Sequence, residues 1–294
     1  MKSVLVTGSG GMLGAELLER LARRGFAPVP LARRDADVTD ANSVREAVRA
    51  RMPDMVVNCA AMTAVDACED DQDRAFAVNR DGAGHVSAAA AAIGVPIIHI
   101  STDYVFDGRA NVPYKEESPR NPLGVYGASK AAGELAVAAE NPAHYIIRTS
   151  WLCGKHGNNF VKTILRLADS RPELNVVNDQ AGSPTFAVDL ADALCAIATA
   201  HFEAQTPPYG IYHITNTGSC TWHHFAKTIL EFSGKAHIPV HPIDSEQART
   251  MLKYKAPRPG YSVLDCSRAS AVFGIRLQPW QEALEMYLSD TQPA

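Results

Sequence analysis

Nothing in this sequence approaches the ~20 consecutive apolar residues that a membrane-spanning helix requires. The N-terminus offers one lysine and then a short apolar run that ends at Thr7-Gly8. That run is too short for the apolar core of a secretory signal, and no cleavage site follows it. A cytoplasmic protein without a membrane partner is expected. Charge of one sign is scarce as well. Lys and Arg number 28 against 32 Asp and Glu, a formal net charge of −4, which gives no basis for a nucleic-acid partner. Six cysteines stand at 59, 68, 153, 195, 220 and 266 without one Cys-x-x-Cys. Neither a zinc knuckle nor a redox dithiol is indicated, and buried free thiols in a reducing compartment are expected. Internal repeats are missing, and no Gly/Ser-rich linker divides the 294 residues. That length suffices for one large domain or two smaller ones in tight contact.

What is present begins with Ser3-Val4-Leu5-Val6-Thr7, a short β-branched run that fits a buried parallel strand. It feeds Gly8-Ser9-Gly10-Gly11-Met12-Leu13-Gly14, and a helix is predicted from Ala15 to Arg24. Strand, glycine turn and helix in that order form the context of a dinucleotide fingerprint. Gly8 permits the tight turn, Gly11 lets backbone approach a pyrophosphate, and Gly14 lets helix and strand pack closely. The second strand, Ala27-Pro28-Val29-Pro30-Leu31, carries two prolines, each of which removes a ladder donor. It ends in Ala32-Arg33-Arg34, where a cofactor with a free ribose 2′-hydroxyl usually meets Asp or Glu. Two guanidinium groups there suit a 2′-phosphate, so NADPH is favoured and NADH left open.

Further strands are predicted at 55–59, 95–100, 144–149 and 210–214, with helices at 42–52, 64–79, 81–93 and from Tyr126 to about Glu140. Six strands alternating with helices argue for an α/β fold with a doubly wound parallel sheet. Ligands in such sheets sit outside the carboxyl ends of the strands. The fourth strand ends in Ser101-Thr102-Asp103-Tyr104, which puts the Thr102 hydroxyl where it could hydrogen-bond a substrate carbonyl. The stretch 107–124, rich in Pro, Gly, Asn and charge, reads as a loop over that site. Tyr126 and Lys130 stand four apart and share one helix face. A free phenol titrates near pH ~10. A lysine ammonium one turn away is expected to lower that value and give a proton donor usable for ketone reduction.

Residues 1–150 are read as the dinucleotide-binding domain, with a return segment around 187–215, and 151–294 as a smaller, interrupted substrate domain. His223-His224 and His237/His241 lack carboxylate company at ligand spacing, so no metal site is expected from them.

The glycine turn, Ser101-Thr102-Asp103-Tyr104 and Tyr126-Gly127-Ala128-Ser129-Lys130 together resemble the extended short-chain dehydrogenases/reductases, which implies a Rossmann-type sheet. Four further stretches narrow the resemblance to the branch that reduces dTDP-linked 4-keto-6-deoxy sugars. They are Arg148-Thr149-Ser150-Trp151, Gly157-Asn158-Asn159-Phe160, Asn178-Asp179-Gln180-Ala181-Gly182-Ser183-Pro184-Thr185 and Ala256-Pro257-Arg258-Pro259. The likeness runs from Lys2 to about Leu288. It implies that Thr102 polarises the C4 ketone, that Tyr126 supplies the proton, and that Lys130 binds the nicotinamide ribose and depresses the tyrosine. Gly11, Met12 and Leu13 would meet the pyrophosphate, Asp37 and Val38 the adenine, and Ala61, Met62 and Thr63 the dinucleotide. Asp103, Tyr104 and Trp151 would hold the deoxysugar, Gln180 and Arg258 the nucleotide diphosphate, and Asn79 would support the Tyr–Lys pair through water. Some relatives hold magnesium with acidic residues at a dimer contact. The corresponding position here is Val188, with Asp189 beside it, so magnesium is doubtful, while a homodimer stays open. The alternatives are another nucleotide-sugar 4-ketoreductase, epimerase or dehydratase of the same family, and a non-catalytic regulatory homologue. Relatives that dehydrate carry Glu where this chain has Tyr104, which counts against dehydration.

Overall fold

The structure, a computed structural model, describes residues 1–203 and 206–291. Five strands come from the first half: β1 (Ser3–Thr7), β2 (Ala27–Leu31), β3 (Met55–Asn58), β4 (Ile97–Thr102) and β5 (His144–Thr149). Alternating with them are helices α1 (Met12–Arg23), α2 (Ala41–Arg51), α3 (Val65–Asp70), α4 (Gln72–Phe76), α5 (Gly82–Ala92) and α6 (Val125–Glu140). The sixth strand is Gly210–His213, so the second half of the chain completes the sheet. The order runs from that strand through β5, β4, β3 and β1 to β2, and every pairing is parallel.

Placement at the edge explains how β2 tolerates its prolines. The Ala27 amide donates back to Lys2 on the β1 side. Alternation along the strand then turns positions 28 and 30 outward, where the missing donors cost no ladder bond. Apolar side chains cover both faces. On one, α1 meets the helix Ala187–Phe202 around Leu17, Leu21, Leu190 and Leu194. On the other, α2, α5 and α6 enclose Val44, Val48, Val86 and Val137. A separate cluster around Phe186, Phe225, Trp280 and Leu284 holds the second half together. No helix among the described residues is long and apolar enough to cross a membrane.

The helix read over 64–79 is broken in two. The Asp71 side chain accepts the Arg74 amide and starts α4 afresh. A π turn, Ala77–Asp81, then joins α4 to α5 and carries Asn79. Such bulges often accompany functional sites. Asp40 caps α2 by accepting from the Asn42 and Ser43 amides.

Candidate active site

The mouth of the site is the turn after β1. Gly8 has φ +61°, and a Cβ there would come within 2.8 Å of the Ala60 amide nitrogen. At Gly14 a Cβ would lie 2.3 Å from the Gly8 carbonyl oxygen, so only glycine lets α1 start this close to the turn. No side chain caps α1 at Gly11, which leaves its first amides free for an anion. Two cavities adjoin there and share Gly8, Gly11, Cys59 and Ala61. One, of about 380 Å³, is lined by Gly10, Arg33, Asp37, Val38 and Met62 among others. The other, of about 470 Å³, is lined by Met12, Leu13, Gly14, Thr63, Thr102, Asp103, Tyr104, Tyr126, Lys130, Trp151 and Arg258. The glycine cradle, the uncapped helix and the two-lobed cleft fit a dinucleotide.

Three residues expected in the cleft do not line it. Arg34 stands 89% exposed beside Asp35. Gln180 is buried, and its amide is spent on the Ser245 hydroxyl at 2.9 Å. Asn79 is fully buried and braces the site from behind. It exchanges two hydrogen bonds with the Met62 backbone, at 2.8 and 3.0 Å, and donates to the Ser129 hydroxyl at 3.0 Å. The 61–63 stretch is thereby tied to α6.

The expectation for the Tyr126–Lys130 pair also needs correction. Lys130 is 2% exposed, and its ammonium donates to the Ile100 carbonyl at 2.6 Å and lies 3.4 Å from His99 Nε2. Neither hydrogen bond goes to the phenol. Burial brings the Lys130 amine down to about 8, partly opposed by Glu134. Burial pushes the Tyr126 phenol up, with a hydrogen bond from Thr102 pulling the other way. In this state the phenol holds its proton firmly. Behind Lys130 a polar chain runs into the sheet: His99 Nδ1 meets Asn58 Nδ2 at 3.0 Å, and Asn58 Oδ1 accepts from the Thr7 hydroxyl at 2.5 Å.

Aromatic rings and one guanidinium close the cleft. Tyr104 meets Tyr126 edge-on, with centroids 5.4 Å apart. Arg258 reaches Asp66 at 3.1 Å and stacks on Tyr254 at 4.0 Å, while its buried Nε has no partner among the described residues. Trp151 sits at φ +48°, an unfavourable conformation for a bulky residue. Its indole stacks on Trp222, centroids 3.4 Å apart and planes 7° from parallel. Gly182 leaves the room for that indole, since a Cβ there would come within 2.5 Å of it. Trp222 lines the cleft too, and no sequence motif pointed to it.

Away from the cleft, Asp189 accepts hydrogen bonds from the Asn216 and Gln278 side-chain amides. His241, read as lacking carboxylate company, stands 3.1 Å from Glu173, but as a single exposed pair. The described residues hold no cluster of three potential metal ligands. All six cysteines are free, four of them buried.

A parallel doubly wound sheet with Thr, Tyr and Lys at the mouth of a glycine turn defines a dinucleotide-dependent oxidoreductase of the extended short-chain class. The chain belongs to the dTDP-4-dehydrorhamnose reductase family, whose family model, described as RmlD substrate binding domain, matches residues 1–292. The dTDP-4-dehydrorhamnose reductase of Streptomyces griseus is 46% identical, over 95% of this chain and 91% of that protein. The spore coat polysaccharide biosynthesis protein SpsK of Bacillus subtilis (strain 168) is 42% identical, over 100% of this chain and 99% of that one. Among solved structures, dTDP-4-dehydrorhamnose reductase from Bacillus anthracis str. Ames in complex with NADP superposes with a TM-score of 0.91 at 37% identity, covering 99% of this chain and 100% of that one.

Proposed function

We propose that this chain reduces the C4 ketone of dTDP-4-dehydro-L-rhamnose to dTDP-L-rhamnose with NADPH. The convergence of Thr102, Tyr126 and Lys130 in one cleft with the glycine turn carries the reading. Bound NADPH supplies the hydride. Tyr126 gives its proton to the oxygen that becomes the alkoxide, and the Thr102 hydroxyl polarises the carbonyl, so charge develops in a site already ordered to receive it. Lys130 holds the nicotinamide ribose. Gly11, Met12 and Leu13 face the pyrophosphate, Asp37 and Val38 the adenine. Asp103, Tyr104 and Trp151 hold the sugar, and the Arg258 guanidinium, which lines the same cleft, meets the diphosphate. In this reading residues 1–150 with 187–215 serve the dinucleotide and the rest of 151–294 the substrate. The free thiols and the reduced cofactor suit a cytoplasmic enzyme.

The test is a coupled assay. The purified chain oxidises NADPH when given dTDP-4-dehydrorhamnose and leaves dTDP-glucose untouched. Consumption of dTDP-glucose without NADPH oxidation would instead mark a dehydratase.

Two substitutions probe the two lobes. Arg33, 72% exposed and paired with Asp37 at 3.1 Å, is one of two cations, with Arg74, that line the adenine lobe. Arg33→Ala raises KM for NADPH roughly tenfold, the low end for a lost charge-assisted hydrogen bond, and barely alters KM for NADH. Equal changes for both cofactors would remove the 2′-phosphate assignment. Trp222→Ala withdraws the support of the Trp151 indole. Steady-state kinetics then show KM for the sugar nucleotide up about tenfold, an aromatic pair being worth ~0.5–1.5 kcal/mol, with kcat within about threefold. An unchanged KM would mean that Trp151 holds its place without the stack.

A further inference from the structure

Behind Lys130 every buried donor has to find an acceptor. The Ala60 amide can only donate. It lies 3.3 Å from Asn58 Oδ1 and 3.3 Å from the Thr7 hydroxyl oxygen, and that hydroxyl gives its own proton to Asn58 Oδ1 at 2.5 Å. Two donors on one atom identify it as the amide oxygen. The Asn58 nitrogen is then what meets His99 Nδ1, at 3.0 Å, and it has only protons to give. His99 Nδ1 must therefore be bare. The ring is 0% exposed, and burial together with the neighbouring Lys130 charge keeps it neutral. Its one proton sits on Nε2, 3.4 Å from Lys130 Nζ. Lys130 spends one proton on the Ile100 carbonyl, at 2.6 Å, in either charge state. Toward His99 the two states differ. A neutral amine offers its lone pair to the Nε2–H, whereas an ammonium has no lone pair and sets a proton against a proton.

Another fully buried imidazole is wired the opposite way. His213 gives its Nδ1–H to the Tyr114 carbonyl at 3.1 Å and turns a bare Nε2 to Arg148 Nη1 at 3.3 Å. There the ring accepts from a cation that keeps its proton. His99 offers the lysine a donor instead.

We propose that Asn58 locks His99 as the Nε2–H tautomer, and that this N–H loosens the hold of Lys130 on its third proton. The kinetic consequence rests on the ketone-reduction reading above. A lysine ammonium stabilises the phenolate that Tyr126 leaves behind, so the pH at which Lys130 loses its proton limits catalysis on the alkaline side. His99 touches neither cofactor nor sugar in this scheme. It acts through Lys130 and is a positioning residue.

The other groups around Lys130 can be named. Burial works in the same direction as His99 and brings Lys130 down to about 8. Glu134, one turn further along α6, and Cys59, just after β3, oppose it. Glu134 shares its charge with Arg148 and Arg120, and burial pushes the Cys59 thiol up to about 12, which leaves it neutral. Tyr126, one turn earlier on α6, is a neutral phenol.

His99→Asn keeps an acceptor near the place of Nδ1 for Asn58 and takes away the Nε2–H. With dTDP-4-dehydrorhamnose saturating, kcat/KM for NADPH reports the free enzyme. In the wild type it falls as pH rises through a value at or below about 8. In His99→Asn that fall moves up by about one pH unit, a tenfold change in proton affinity, while the plateau below it stays within about threefold. A lower plateau with the fall unmoved would make His99 a packing residue and overturn the inference. A second measurement needs neither substrate nor variant. Long-range 1H–15N correlation spectra of the ligand-free wild type show His99 as the neutral Nε2–H tautomer and His213 as the Nδ1–H tautomer. A bare Nε2 on His99, or a charged ring near neutral pH, overturns the inference. Failure of the substrate assignment appears separately, as a wild type that leaves NADPH unoxidised with dTDP-4-dehydrorhamnose, and the tautomer then still decides the state of His99.

Discussion

Tyr126→Phe lowers kcat by roughly 10³–10⁴ and leaves the dissociation constant for NADPH within about threefold. The phenol is asked for two things that benzene cannot supply, a proton for the alkoxide and a hydrogen bond to the developing oxyanion. General acid catalysis contributes about 10²–10⁴, and loss of one oxyanion donor costs about 10²–10³. One oxygen serves both here, so the effects overlap and the larger one sets the loss. Folding should survive, because the ring keeps its edge-on contact with Tyr104 at 5.4 Å. Cofactor affinity should survive as well, since the lobe lined by Gly8, Arg33, Asp37 and Val38 does not include Tyr126. Fluorescence titration with NADPH and a stopped-flow trace of its oxidation separate the two quantities. Turnover within tenfold of wild type would move the proton donor elsewhere.

The elements that could be read from the sequence are those written in local pattern. The glycine turn announces itself because only glycine satisfies the positive φ at position 8 and the closeness at position 14. Thr102, Tyr126 and Lys130 were legible because a strand end and a helix face are set by short-range spacing. What sequence could not supply was the third dimension of each side chain. Lys130 shares a face with Tyr126, yet its ammonium turns to Ile100 and His99. The pairing of the spacing rule gave way to a backbone carbonyl from β4. Arg34 and Gln180 lie outside the cleft for the same reason, one turned to water and the other bonded to Ser245. Trp222 comes from a stretch with no motif, and it reaches the cleft only because Trp151 and Gly182 make a slot for it. The edge position of β2 rests on a sheet order that no local signal encodes, although two prolines two apart hinted at it.

Glu134 was hidden in plain spacing, since it follows Lys130 by four residues as Lys130 follows Tyr126. In the structure it is 1% exposed and collects four hydrogen bonds. They come from the Ser101 hydroxyl at 2.5 Å, Arg148 Nε and Nη2 at 2.8 and 2.7 Å, and Arg120 Nη1 at 3.1 Å. Ser101 precedes Thr102 on β4, and Glu134 rides on the helix of Tyr126. Arg120 belongs to the loop over the site. One carboxylate therefore sets how the helix of Tyr126 sits against the strand that ends in Thr102. Glu134→Ala leaves Arg148, 1% exposed, with no anion. Its other partners are the Glu116 carbonyl, His213 and the Phe106 ring, and none carries negative charge. Breaking such a buried pair from one side costs about 3–5 kcal/mol, which urea unfolding monitored by intrinsic fluorescence will read directly. Adding Arg148→Met should restore much of the loss, because the orphaned charge leaves with it. The double variant should nevertheless stay well below wild-type kcat, since the tie from α6 to Ser101 is still missing. A double variant with full activity would show that the carboxylate only neutralises Arg148. A single variant losing under about 1 kcal/mol would show that Arg148 finds water or another anion when Glu134 is gone.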